Sequence, residues 1–119
     1  MYSGPVMPIK TGLDAFNIVR DVVVEQLRVE PASLSEKTSL LADYQITTED
    51  AFDMATGMYN RAGLKWKETD AQSMRMKLFH DSILEISHVL ADAAGVERLA
   101  AWPGTATTGG SGGDSIDFV

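Results

Sequence analysis

Apolar residues recur at three- and four-residue intervals in three stretches of this 119-residue chain, and helix start or stop signals bracket those stretches. Thr11-Gly12-Leu13-Asp14 is a Thr-x-x-Asp capping signal, and Phe16, Val19, Val23, Val24 and Leu27 follow it as one buried stripe. Val22-Val23-Val24 also suits a strand, but the longer period outweighs it. Arg28 to Lys37 is polar, contains Pro31 and has no period, so it reads as a long loop with Val29, Leu34, Leu40 and Leu41 as anchors. A second helix is expected from Thr47-Thr48-Glu49-Asp50, where a threonine caps free N–H groups and the acids suit the positive end of the helix dipole. Its inner face should carry Phe52, Ala55, Tyr59 and Ala62 with Ala51 and Met58, and its outer face Asp50, Asp53, Gly57, Asn60 and Arg61. Gly63 should end it. Leu64, Trp66 and Thr69 to Met74 predict an irregular segment or a brief helix. A long helix from Lys77 to Ala94 follows, with Phe79, Ile83, Ile86, Leu90 and Ala93 on one side and Gly95 as its stop. Val96 to Trp102 could add a turn before Pro103. The expected fold is a small all-α four-helix bundle over residues 11–102, with an N-terminal extension (1–10) and a flexible Gly/Ser/Thr-rich tail (103–119).

Composition excludes several chemistries. There is no cysteine, so disulfides, thiolate metal sites and cysteine nucleophiles are ruled out. With 17 acidic against 10 basic residues the formal charge is −7, which repels phosphate backbones and argues against nucleic-acid binding. That surface suits partners with basic docking patches, and equally suits plain solubility. No apolar run is long enough for a membrane span. MYSGPVMPIKTG has neither the basic start nor the apolar stretch of a signal peptide, so a cytoplasmic location is expected.

Particular residues sharpen this reading. Val24-Glu25-Gln26-Leu27-Arg28-Val29-Glu30-Pro31, Thr38-Ser39-Leu40-Leu41-Ala42-Asp43-Tyr44 and Ala62-Gly63-Leu64-Lys65-Trp66 stand in an order of long helix, long loop, acidic helix, short helix and last helix. From Phe16 to Ala71 this arrangement resembles acyl carrier proteins. The resemblance implies a carrier that holds an acyl chain as a thioester on phosphopantetheine. The family's attachment serine, in Asp-Ser-Leu at the start of its second helix, falls here on Thr47-Thr48-Glu49. All three positions depart from that pattern, and the two threonines read as helix caps. Asp43, Glu49, Asp50 and Asp53 correspond to the family's acidic docking face; their alternative reading is a solvated face with dipole compensation.

The chain's last stretch holds a second echo. Gly112-Gly113-Asp114-Ser115-Ile116-Asp117 resembles the motif missing from the domain, and the interval from Ala94 to Ser115 equals that from Leu27 to Thr48. Each interval follows a helix end and contains a Val-Glu pair, Val29-Glu30 or Val96-Glu97. Either the tail is a remnant, or Ser115 is a usable attachment site on a glycine-rich arm, with Thr48 the secondary candidate.

Other constellations have ordinary explanations. His80 and His88 lie two helical turns apart, with Glu85 and Asp92 one turn either side of His88, a spacing that helix-surface pairing explains without a metal. His80-Asp81-Ser82 is not a catalytic trio, because neighbouring helical residues point apart. The acids from Asp43 to Asp53 lack the spacing and central glycine of a calcium loop. Met54, Met58, Met74 and Met76 read as adaptable core filling. Gly57 costs a helix about 1 kcal/mol against alanine and so suggests close packing. Trp66 and Trp102 read as loop anchors. The sequence therefore predicts a chain without catalytic groups: an atypical acyl carrier or carrier-derived module of lipid or polyketide metabolism. Its expected partners are acyl-processing enzymes and a phosphopantetheinyl transferase. The alternative is a docking module that never takes the prosthetic group.

Overall fold

The structure, a computed structural model, describes residues 6–103. The described part is helical, with no strand among those residues. Helix α1 spans Gly12–Leu27, a 3-10 turn covers Pro31–Ser33, and α2 (Leu40–Tyr44) is a single short turn. Helices α3 (Thr48–Arg61), α4 (Glu68–His80) and α5 (Ile83–Ala94) complete the order. The four longer helices are joined by a fifth, short one that sits against α4.

Helix α1 lies along α5 on one side and α3 on the other, and α4 closes the far side of α3 while touching α2 and α5. The stripe on α1 that faces both neighbours contains Ala15, Phe16, Ile18, Val19, Val22 and Val23, all buried. Helix α3 is sandwiched, so its buried arc is wide: Ala51, then every residue from Met54 to Tyr59. Met54, Met58 and Met74 have no exposed surface, which bears out their reading as core filling, whereas Met76 is 54% exposed and lies outside the core because it falls on the open side of α4.

Local signals set most of the helix ends. Thr11 caps α1 with its Oγ1 accepting the Asp14 N–H at 3.2 Å, and the Asp14 carboxylate accepts the Thr11 N–H at 3.1 Å. Gly63 (φ +70°) follows α3 and Gly95 (φ +75°) ends α5, both in the left-handed conformation that glycine adopts without strain.

Several expectations need correction. The long helix anticipated from Lys77 to Ala94 is broken: Asp81 is extended (φ −104°, ψ 159°), and Ser82 opens a new helix. A full capping box holds that break, with Ser82 Oγ accepting the Glu85 N–H at 3.1 Å and Glu85 Oε1 accepting the Ser82 N–H at 2.9 Å. The Phe79-to-Ala93 face also shifts, because Leu78 is buried while Ala93 is exposed. On α3, Phe52 points outward with 37% of its surface exposed, whereas Met54 and Gly57 are buried. Finally, Leu41 does not anchor the loop; it is 44% exposed, and Leu34 and Leu40 do that work.

Val96 to Trp102 does not form the expected extra turn but an irregular strap across the start of α1. A methyl group on Gly12 would lie 2.6 Å from the Glu97 carbonyl oxygen and 2.8 Å from the Arg98 carbonyl carbon, and would run into the Leu99 nitrogen. Only a residue without a side chain lets two backbones approach so closely. The strap is fixed at three further points. His88 Nε2 donates to the Leu99 carbonyl at 2.8 Å, Arg98 grips Asp92 with two bonds of 3.0 and 2.6 Å, and Trp102 packs edge-on against Phe16 at 4.9 Å.

At the other end of the chain, Met7 N–H donates to the Arg61 carbonyl at 2.7 Å, so residues before α1 lie against the end of α3. The tail from residue 104 onward, including Ser115, lies outside the described residues.

Candidate functional site

The start of α3 gathers most of the residues that the sequence singles out. Thr47 is the N-cap, with extended backbone and Oγ1 accepting the Asp50 N–H at 3.0 Å. The Asp50 carboxylate returns the bond by accepting the Thr47 N–H at 3.1 Å. That backbone hydrogen bond is the main cause holding the Asp50 carboxyl below its ordinary range; burial opposes it, and the side chains of Thr47 and Gln26 add to it. Thr47 is thus engaged in the cap, while Thr48 is the exposed first residue of the helix.

The four acids do not form one uniform face. Asp43 accepts the Ser39 N–H at 2.9 Å and so helps cap α2, as Asp50 caps α3. Glu49 is exposed and Asp53 half-buried. Glu49 is the centre of this side of α3, flanked by Phe52 three residues on and Asp53 four residues on, and the Phe52 ring points outward. This face combines an aromatic ring with two carboxylates at the positive end of a helix. Sequence reasoning missed Phe52 because it assigned the ring to the core. The apolar run Ala51, Met54, Ala55, Met58 and Ala62 is itself a complete helical stripe and leaves Phe52 outside it.

The chain matches no family model, no curated protein and no solved structure. What the site can do is therefore read from its own geometry.

The remaining candidates are structural. His80 lies in the last turn of α4, where a basic group favours the negative helix end. Asp81 pairs with Lys77 at 3.8 Å, and Ser82 is a cap, so the three neighbours have separate roles. His88 meets a carbonyl, which only accepts, so its Nε2 carries a proton. Among the described residues no group of three or more His, Cys, Asp or Glu side chains could hold a metal ion. Nor, among them, is any helix long and apolar enough to cross a membrane. Trp66 donates from Nε1 to Asn60 Oδ1 at 2.8 Å and stacks on Tyr59 at 6.5 Å, and Trp102 is buried on Phe16. Both tryptophans are anchors. Burial, with Asp70 nearby, pushes the Tyr59 phenol above its usual value.

Proposed function

We propose that this chain is an acyl-carrier-derived module that docks on partner enzymes through the opening turns of α3. The observation that carries the reading is the outward Phe52 one turn from Glu49, with Asp53 on the other flank of Glu49. An exposed aromatic ring beside a carboxylate suits a partner surface with an apolar seat and a basic rim, the kind expected of acyl-processing enzymes and of a phosphopantetheinyl transferase. The helix order α1, long connection, acidic α3, α4 and α5 supports the kinship. Thr47, where the family has its aspartate, is engaged in the cap, and Thr48, at the family's serine position, carries an exposed but more hindered hydroxyl than serine's. In this reading the module acts in cytoplasmic lipid or polyketide metabolism and contributes no catalytic group. Its carrier form would bear phosphopantetheine on Ser115, and its alternative form is a docking module alone.

Intact mass after incubation with coenzyme A and a broad phosphopantetheinyl transferase separates the two forms. An adduct that maps to Ser115 and disappears in Ser115→Ala supports the carrier. No adduct, under conditions that load a control carrier, favours the docking module. Partner capture by the doubly reversed variant Glu49→Lys, Asp53→Lys tests the face that both forms share; undiminished capture would remove it from the account.

A further inference from the structure

A cleft formed where the strap meets α1 shares no residue with that docking face. It is an open cleft of about 370 Å³ between Phe16 and Arg20 of α1, Pro31, Ala32 and Leu34 of the loop, Trp102 of the strap and Pro103 just after it. Three separate chain segments converge there, and all the lining side chains except one are apolar. The volume lies at the lower end of the roughly 300–1,000 Å³ typical of small-molecule sites, so an occupant must be small.

The exception is Arg20. In a chain of net charge −7, the single charged side chain at this apolar cleft is a cation. Its guanidinium is poorly satisfied. Nε is buried with no hydrogen-bond partner, and the terminal nitrogen has only a 3.5 Å contact to Asp21, whose carboxylate is itself 38% exposed. A covered N–H without an acceptor is costly, and the Arg20 side chain is 37% exposed, so it has room to turn toward an acceptor. A carboxylate accepts from two guanidinium nitrogens at once, through Nε and a terminal nitrogen. The Phe16 and Trp102 rings and the two prolines offer flat apolar surface to the rest of such a ligand.

We propose that this cleft is a binding site for small carboxylates with an aromatic body, with Arg20 holding the acid group. The site is independent of the docking face on α3 and stands or falls separately from it. It also gives the strap a second consequence: by placing Trp102 and Pro103, the contacts at Gly12 and Leu99 build one wall of the cleft.

The test is an NMR titration of the isotope-labelled full chain with 4-phenylbutyrate and, in parallel, its uncharged analogue 4-phenylbutan-1-ol. The acid should shift the Trp102 indole and Arg20 Nε signals saturably, and bind about fivefold more tightly than the alcohol, as suits a charge-assisted pair at a partly exposed site. Arg20→Gln should bring the acid down to the alcohol's affinity while the alcohol is unchanged, and Arg61→Gln, on α3, should alter neither. Asp21→Asn, which removes the competing carboxylate, should tighten the acid alone. Melting curves of each variant establish that the fold is intact. Equal affinity for acid and alcohol would overturn the proposal. So would shifts centred away from the cleft, a folded Arg20→Gln variant that binds like the parent chain, or binding of neither compound.

Discussion

Helices α1 and α3 begin with the same device and end up in opposite surroundings. Each opens with Thr-x-x-Asp, and the reciprocal bonds are nearly superimposable in length: 3.2 and 3.1 Å at Thr11 and Asp14, 3.0 and 3.1 Å at Thr47 and Asp50. At α1 the strap then runs over Gly12 and buries it, although Leu13 beside it is 45% exposed. At α3 no comparable segment among the described residues covers the first turn, and Thr48, Glu49 and Phe52 are exposed. The cap is thus a local solution to unpaired N–H groups, and it carries no functional meaning by itself. What separates the covered helix start from the proposed docking surface is whether another described segment is laid across it.

The largest expected effect comes from removing the covered end's anchor. Trp102→Ala deletes a side chain only 8% exposed and its edge contact with Phe16, and should cost about 3–5 kcal/mol. Chemical denaturation measures this directly. Phe52→Ala, on the open end, should change stability by far less, which a second denaturation curve checks. Gly12→Val comes next. Its side chain must displace strap backbone rather than a movable side chain, so a loss of about 1–3 kcal/mol is expected, together with changed amide signals from Val96 to Trp102.

The caps themselves sharpen the comparison. Thr11→Ala and Thr47→Ala should each lower stability by about 1 kcal/mol, and by similar amounts, since each removes one cap. A much larger loss at Thr11 alone would mean that the strap reads the cap as well as the glycine.

How much of this was legible in the sequence follows the same division between local and distant causes. The caps at Thr11 and Thr47 and the stops at Gly63 and Gly95 depend on residues within one turn, so short motifs disclose them. The break at Ser82 was equally local, in Ser82-Ile83-Leu84-Glu85, but Phe79, Ile83, Ile86 and Leu90 keep helical spacing across it and mask the signal. The strap was not legible. Its course is set by Phe16, His88 and Asp92, remote in sequence, and Val96 to Trp102 has no period of its own. The side of α3 on which Phe52 falls was also undetermined locally, because the positions of α1 and α4 decide which arc is covered.

Acid should affect the two ends in parallel and mildly. Hydrogen bonds hold the carboxyls of Asp50, at the open end, and of Asp92, which secures the strap, below the ordinary value of 3.8. A depressed carboxyl contributes stability that is present above 3.8 and is lost as pH falls below it toward the lowered folded value. Stability should therefore be flat in these groups near neutrality and decline only below about pH 4, with Asp50→Asn and Asp92→Asn each flattening part of that decline. Tyr59 works at the alkaline end: its raised phenol favours the fold below 10, and that contribution fades as pH climbs through and beyond this value. Tyr59→Phe should remove the alkaline loss, which denaturation curves at rising pH would show.

The comparison is tested most directly by titrating the labelled chain with a phosphopantetheinyl transferase and following every backbone amide. The account predicts perturbations concentrated from Thr48 to Asp53, abolished by Glu49→Lys with Asp53→Lys, while Gly12 and Val96 to Trp102 stay unmoved. Perturbations centred on the strap, or none at enzyme concentrations that shift a control carrier, would contradict it.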